Sequence, residues 1–551
     1  MAHHGGAMSG APVSFPRLLI ISAFFAFTSC GVSRISGIDD FLAVDAGQSI
    51  DAGTLADAGE VFDAGSAQAI AVSFPQAVGG AFEANPALFS SIPLRIKTVP
   101  IAIAVELKVG VATLSASDTD GDGVFTVSLP IASLADGVFD LTATATAPAL
   151  LGQATAKLTI AHQGLRLTDW AESKLGNAPR LHAVGSELWL TWADKLNGVS
   201  QGWLRSMDGA GQWRAGRVAL TDPGQDTFYV RTAVGASTIA VLAQGPGTPY
   251  HSYWRVVGFD GQPVGDDLPL DPMGWVSQRG GDVYFDGQNY VAAWRLHDGM
   301  GGAEVRWLKV DEAKQAMTGP VVVMHADASD SNNYVPFFQP TSVRSQHGNS
   351  LVSYVRAYMH PLVQTPVYKT RIATLSSTGA VMGNDFAGPA ADFSFHKESR
   401  VFIHNGRMLP MWTAEWLNDS ATNPSVHVYG TQATAQGTLD SARGAGTDVL
   451  SNSDSRSDIF LISGETGASV LAWVDNRQGP NVLPQVRYAV LDGALKLGPE
   501  KVISHANVVG QLADFGGTYV GGNVVLVWVD YRQGGPGANQ RPEVWMETLW
   551  F

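Results

Sequence analysis

A single cysteine, at position 30, serves all 551 residues. That excludes an intrachain disulfide and any metal site built on cysteine. A chain of this length can bury enough core to fold without cross-links, even outside the cytoplasm. Charge is sparse as well, at 15%, and the positive kind is the scarcer: 35 basic residues against 50 acidic ones give −15. No Lys/Arg cluster is long enough to form a basic groove, so nucleic acid is not an expected partner. No apolar run reaches the ~20 residues of a membrane-spanning helix. His-Glu-x-x-His, Gly-x-Ser-x-Gly and a phosphate-binding glycine loop are missing too, which removes three common signatures of catalysis.

What is abundant is glycine (61 residues) and proline (28), alongside 45% hydrophobic content. That mixture describes a turn-rich β protein with a real core, and the length predicts two or three domains.

Near the N-terminus, Arg17 precedes the apolar run Leu18 to Phe27, which leads into Thr28-Ser29-Cys30-Gly31. The run has the length of a signal-peptide core. Small residues followed at once by the only cysteine resemble the lipobox of bacterial lipoproteins, with Phe27 where Leu is usual. The resemblance implies that residues 1–29 are removed and that Cys30 carries the lipid anchor, so that the partner is a membrane. Gly31 is not the Asp that holds enteric lipoproteins at the inner membrane, which implies the outer membrane. The other reading is an ordinary cleaved signal with a cysteine nearby.

Asp-Ala-Gly then recurs at Asp45, Asp51, Asp57 and Asp63, a constant spacing of six. Four short rungs offer too few apolar residues to stack as a β-solenoid. Residues 30–68 are therefore read as a disordered tether.

Residues 69–162 carry short alternating stretches, among them Ile101 to Leu107, Val124 to Leu129 and Phe139 to Ala145. Period-two alternation between turn clusters predicts a β-sandwich. The acidic turn Asp118 to Gly123, the strand ending Leu129-Pro130 and the Leu134-Ala135-Asp136-Gly137 turn resemble bacterial Ig-like modules. Asp118, Asp120 and Asp122 also match the opening of a calcium loop, but Leu129 stands where an EF-hand needs its bidentate Glu. The turn admits a structural Ca²⁺, the one cofactor considered, or a plain solvated hairpin.

From residue 163 onward an apolar strand returns seven times, its last residue being Trp192, Leu242, Trp294, Tyr354, Trp412, Trp473 and Trp528. The anchors are spaced by 50, 52, 60, 58, 61 and 55 residues, each enough for one four-stranded blade. The expected fold class is all-β: an Ig-like β-sandwich followed by a seven-bladed β-propeller over residues 163–551. The chain ends in what reads as a third strand, Glu543 to Phe551, and Leu165-Arg166-Leu167-Thr168 is expected to supply the missing fourth. Trp473-Val474-Asp475-Asn476-Arg477 and Trp528-Val529-Asp530-Tyr531-Arg532 are near-copies. They resemble Trp-x-Asp-x-Arg repeats of secreted bacterial propellers and, more distantly, TolB-like periplasmic ones. Asp and Arg two apart share a strand face and are expected to pair.

If every anchor strand holds the same place in its repeat, the following loops share one end of the ring. They would bring Tyr250, His251, His297, Asp298, Tyr358, His360, Trp416, Asn418, Asp475, Arg477, Asp530 and Arg532 to a candidate binding face. Aromatic rings beside polar groups suit carbohydrate or protein surfaces; the plainer reading is polar, variable loops. Sialidase-type glycosidases share the architecture, yet their Asp-box is approximated once, at Ser206 to Trp213, and no catalytic residue can be assigned. The expectation is a non-catalytic binding or scaffolding surface in the cell envelope, facing protein or carbohydrate. The alternative is a propeller glycoside hydrolase or lyase acting on surface polysaccharide.

Overall fold

A computed structural model describes residues 69–168, 179–196, 199–222, 226–227, 229–245, 251–272, 275–298, 302–326, 341–359, 366–386, 394–416, 425–439, 446–450, 456–464, 469–475, 485–503, 512–530 and 543–551. The expected signal segment, Cys30 and the Asp-Ala-Gly repeats lie outside these residues, as do Tyr250, His360, Asn418, Arg477 and Arg532. The chain is all-β: among the described residues every regular element is a strand.

Two sheets share the first hydrophobic core. One has the order Ala71–Ser73, Ser91–Val99, Val124–Pro130. The other has the order Ala81–Ala84, Leu150–Ile160, Gly137–Ala147, Ala104–Val109, Ala112–Ala116. Ile92, Leu94 and Ile96 from the first meet Leu107, Leu141 and Leu158 from the second, all fully buried. The alternation in the sequence is the cause, since residues i and i+2 of a strand share a face. Ala104–Val109 alternates exposed and buried along its whole length.

Seven four-stranded sheets follow one another along the chain. Their first strands are Arg180–Val184, Tyr229–Val234, Val276–Phe285, Ser342–Gln346, Ser394–His404, Arg456–Ser463 and Leu512–Val520. The second strands, Glu187–Leu196, Thr238–Gln244, Asn289–His297, Asn349–Met359, Arg407–Trp416, Ser469–Asp475 and Asn523–Asp530, each contain one anchor residue. All strand pairs within these sheets are antiparallel. The seventh sheet takes its fourth strand from Leu165–Arg166, which pairs with Met546 and Trp545 of the C-terminal strand Glu543–Leu549. This is the pairing expected from the sequence.

Successive sheets are stitched by polar and apolar contacts. Thr191 and Thr232 share a 2.6 Å hydrogen bond between the first and second sheets. Glu312 of the third sheet accepts the N–H groups of Ala236, Ser237 and Thr238 in the second. His404 of the fifth sheet meets Ser469 Oγ at 2.7 Å and the Asp492 carbonyl at 2.9 Å in the sixth. Between the seventh and first, Leu181, Leu190 and Trp192 share a core with Val525, Val527 and Val544. There, Gly516 lies so close to the Pro179 carbonyl that a Cβ would stand 2.3 Å from it.

The anchors are core residues. Trp294, Trp412, Trp473 and Trp528 are among the largest fully buried side chains, with Tyr354. Each aromatic ring fills the space between one sheet and the next, which explains its recurrence without invoking a ligand.

Candidate functional site

The first strands bring charge into the interior. Arg180, Arg231, Asp282, Arg344 and Arg400 sit on the first strands of the first to fifth sheets, each at most 4% exposed. Asp458 and Asp514 occupy the first strands of the sixth and seventh. Every first strand therefore carries at least one charged residue. Strand register is irregular in four of them: between Gln278 and Asp282, His396 and Glu398, Ser457 and Phe460, and Ala513 and Phe515. Such bulges re-aim side chains and are common beside functional sites.

Asp282 is the hub among the described residues. Its Oδ2 accepts hydrogen bonds from Ser342 Oγ at 3.0 Å, Val343 N at 3.1 Å and Arg344 Nη1 at 2.9 Å. Its Oδ1 lies 3.9 Å from Arg180 Nη2, two sheets away. A group of the first sheet thus meets a group of the third with the second sheet between them in sequence. That contact requires the first strands to converge. Arg344 also stacks over the Tyr284 ring at 4.8 Å. Ser342 Oγ passes the network on by accepting the Val401 N–H of the fifth sheet at 3.2 Å. A carboxylate with three donors on one oxygen and a guanidinium 3.9 Å from the other is held in a fixed position. It positions its neighbours and is poorly placed to take a proton from a substrate.

Among the described residues, the expected binding-face residues His297, Tyr358, Trp416, Asp475 and Asp530 fall at or next to the ends of second strands, Asp298 just beyond one, and His251 immediately before a third strand. His251 Nδ1 stands 3.6 Å from buried Asp271. His297 ends its strand, and burial followed by nearby Arg295 keeps its imidazole below the usual histidine range. Asp298 accepts the Gly302 N–H at 2.8 Å, closing the loop that follows. Trp416 and Asp530 are the last residues of their strands and Tyr358 the last but one, so all three lie within strands and not in loops. Asp475 is 4% exposed and is engaged by Arg487 Nε at 2.5 Å from the neighbouring third strand. Asp194 meets Arg217 in a similar way at 3.4 Å. The expected partner of Asp475, Arg477, lies outside the described residues; the Arg487 contact is an additional one made across the sheet.

The acidic turn of the sandwich is built by its own backbone. Asp118 accepts the Gly121 and Gly123 N–H groups at 2.8 and 3.0 Å, and Asp122 accepts that of Val124 at 2.8 Å. Ligand atoms of Asp118, Asp120 and Asp122 fall within 4.8 Å of one another, a spacing that suits Ca²⁺ as well as a solvated turn.

The Asp-box-like stretch proved more general than its sequence. Asp208 Oδ1 accepts the N–H groups of Ala210 and Gln212, each at 3.0 Å, in the turn between third and fourth strands. Asp492 does the same with Ala494 and Lys496, and Ser376 with Thr378 and Ala380. Thr434 binds the Thr438 N–H in the corresponding turn of the fifth sheet. Because Asp, Ser and Thr substitute for one another as turn acceptors, a search for one motif finds only one copy.

No family model matches the chain, and no curated protein does either. Among solved structures, a protein of unknown function from Dyadobacter fermentans has a TM-score of 0.40 at 12% identity, covering 71% of this chain and 98% of its own. An α-L-arabinofuranosidase from Fusarium graminearum gives 0.39 at 11% identity, covering 59% and 93%. An α-L-arabinanase from Penicillium chrysogenum gives 0.38 at 10%, covering 58% and 92%. None reaches a TM-score of 0.5, so these are likenesses of outline from which no residue role is carried over.

The sandwich is fixed to the seven-sheet body at one end. Gly209, in the first sheet's third-to-fourth turn, donates its N–H to Val78 O at 3.0 Å, and a Cβ there would meet Ala81 O at 2.3 Å. Gly521 and Gly522, in the seventh sheet's first hairpin, lie against Gln76 and Arg95. At the seam, Glu83 Oε2 accepts the Thr548 N–H at 2.8 Å and Asn85 donates to Glu547 Oε2 at 3.1 Å. Full burial pushes the Glu83 carboxyl up to about 8, against two bonds from Thr548 that pull the other way. It is therefore protonated at neutral pH.

Proposed function

We propose that the seven sheets are blades of a seven-bladed β-propeller, that the sandwich is an Ig-like module, and that the chain is anchored through lipid on Cys30 to the outer membrane. In this reading it engages a cell-envelope polysaccharide without cleaving it. One observation carries the placement: every anchor strand is the second of its sheet. In an antiparallel meander the loops after second strands open at the end opposite the first hairpins and third-to-fourth turns. The sandwich occupies the latter end, through Gly209 and Gly521. In this reading the former end offers His251, His297, Tyr358 and Trp416 to a ligand; Tyr250, His360 and Asn418, expected beside them, lie outside the described residues. Aromatic rings with polar neighbours suit sugar faces and their hydroxyls. The burial of Asp282 and the three hydrogen bonds on its Oδ2 support a binding role over catalysis.

Hydrolysis is the second reading. It is favoured by three carboxylate residues, Asp282, Asp458 and Asp514, on the innermost strands of three sheets. Glycoside hydrolysis needs two carboxylates flanking the scissile bond, and propeller glycosidases are among the likenesses of outline.

The test is to pass purified full-length protein over immobilised envelope polysaccharides and to assay the same glycans for released reducing ends. Retention without release supports the binding reading. Release that disappears in Asp458→Asn or Asp514→Asn replaces it with the hydrolase. Capture of an envelope protein alone overturns the carbohydrate assignment.

A further inference from the structure

The far end of the sandwich groups four exposed aliphatic side chains in one place, whereas Val111 and Val138, exposed as well, lie toward the other end. The loop Val99-Pro100-Ile101-Ala102-Ile103 leaves Val99 at 58%, Ile101 at 54% and Ile103 at 73% exposure, and neighbouring Leu151 stands at 63%. They belong to one place. Ile103 N donates to Thr146 O, and Thr146 pairs directly with Leu151. Val99 pairs with Ala71, at the start of the first strand. From there the strand runs toward Pro75 and Gln76, which lie against Gly521 of the seventh sheet. The aliphatic end thus points away from the seven sheets, and the preceding 68 residues join the molecule there.

We propose that this end docks on the surface of a zwitterionic phospholipid bilayer, inserting the Val99–Ile103 loop and Leu151. The proposal rests on the lipid-anchor reading above. From Cys30 to Ala69 there are 39 residues, and a solvated chain of that length spans roughly 35 Å root-mean-square. An anchored Cys30 therefore holds the loop at high effective concentration beside lipid. Aliphatic side chains on a rigid loop gain by entering the acyl boundary. The headgroup preference follows from Asp118, Asp120 and Asp122. Their turn adjoins the loop, with Thr98 N donating to Gly123 O at 2.9 Å and the Ile101 side chain against Gly123. Three carboxylates there disfavour anionic lipid.

Acylation blocks the sole native thiol, so a single introduced cysteine can carry a polarity-sensitive fluorophore in the full chain reconstituted in phosphatidylcholine vesicles. Ile103→Cys tests the loop, and Met382→Cys, 52% exposed on a fourth strand of the seven-sheet body, is the control. Docking gives blue-shifted emission at 103, quenched by acyl-chain quenchers, with water-like emission at 382. Adding Val99→Asp and Ile101→Asp weakens the docked state by about tenfold for each side chain removed. Phosphatidylglycerol in the vesicles lowers the signal. Water-like emission at both positions overturns the proposal. So does a shift at 103 that follows protein concentration and ignores lipid quenchers, since it reports a second copy. If mass analysis finds Cys30 unacylated, the anchor reading fails by itself; vesicles added to the labelled protein, with Cys30 changed to Ser, then decide the loop by the same two emissions.

Discussion

Trp550, next to the last residue, donates its indole N–H to the carbonyl of Glu83 at 3.0 Å, 467 positions earlier in the chain. Its ring sits edge-on to Phe82 at 5.7 Å, inside the core of the sandwich. The last strand of the seven-sheet body thus ends as a core residue of the other unit. Trp550→Ala is expected to destabilise the protein by about 3–5 kcal/mol, as large aromatic truncations in cores do. Chemical denaturation should show the sandwich losing stability together with the seven-sheet body. Loss confined to one of two transitions would mean that the units fold independently.

Glu83 makes the same seam sensitive to pH. Its folded pKa of about 8 lies above the ordinary 4.5, so the folded state holds a proton that the unfolded chain releases. The stabilisation is fully present below pH 4.5 and is lost progressively as pH rises toward 8, at about 1.4 kcal/mol per pH unit within that window. Glu83→Gln mimics the protonated acid. It should flatten the melting temperature across this window, relative to the native chain, which loses stability over the same interval.

The hub residue Asp282 gives the third expectation. Asp282→Ala leaves Arg344, fully buried, without the carboxylate it donates to, and should cost about 3–5 kcal/mol. Asp282→Asn keeps an acceptor for Ser342 and Val343 and should cost less. Thermal melts of the two variants check the order; equal losses would show that the charge contributes nothing.

The fourth concerns the closing strand. Leu165-Arg166 pairs with Met546 and Trp545, and Thr168 Oγ1 accepts the Val544 N–H at 2.8 Å. Removing residues 543–551 strips the seventh sheet of two strands and should lower the melting temperature of the whole seven-sheet body. A truncated protein that melts where the intact one does would contradict this.

Much of this architecture was legible beforehand because its causes are local or repeated. Alternation in Ala104–Val109 announced a half-buried strand, and the anchors from Trp192 to Trp528 marked one second strand per sheet. The pairing of Leu165 with the C-terminal strand was readable because an unfinished last repeat needs a partner. The inner charges were harder. Arg180, Asp282 and Arg344 come together from three sheets, and no spacing in the sequence encodes a convergence set by how sheets pack around one another. A charged residue about ten to fifteen positions before each anchor was the available signal. Asp475 shows another limit: nothing in its sequence surroundings pointed to Arg487, which reaches it from the neighbouring strand. The seam at Glu83 and Trp550 joins the two ends of the folded chain, a contact that only tertiary structure reveals.

The most direct test of the central claim is a binding isotherm of the full-length protein on envelope polysaccharide, repeated with Tyr358→Ala and Trp416→Ala. The account predicts saturable binding that weakens about tenfold or more when both rings are removed, with melting behaviour unchanged. Binding that survives their removal, or no binding to any envelope glycan, would contradict it.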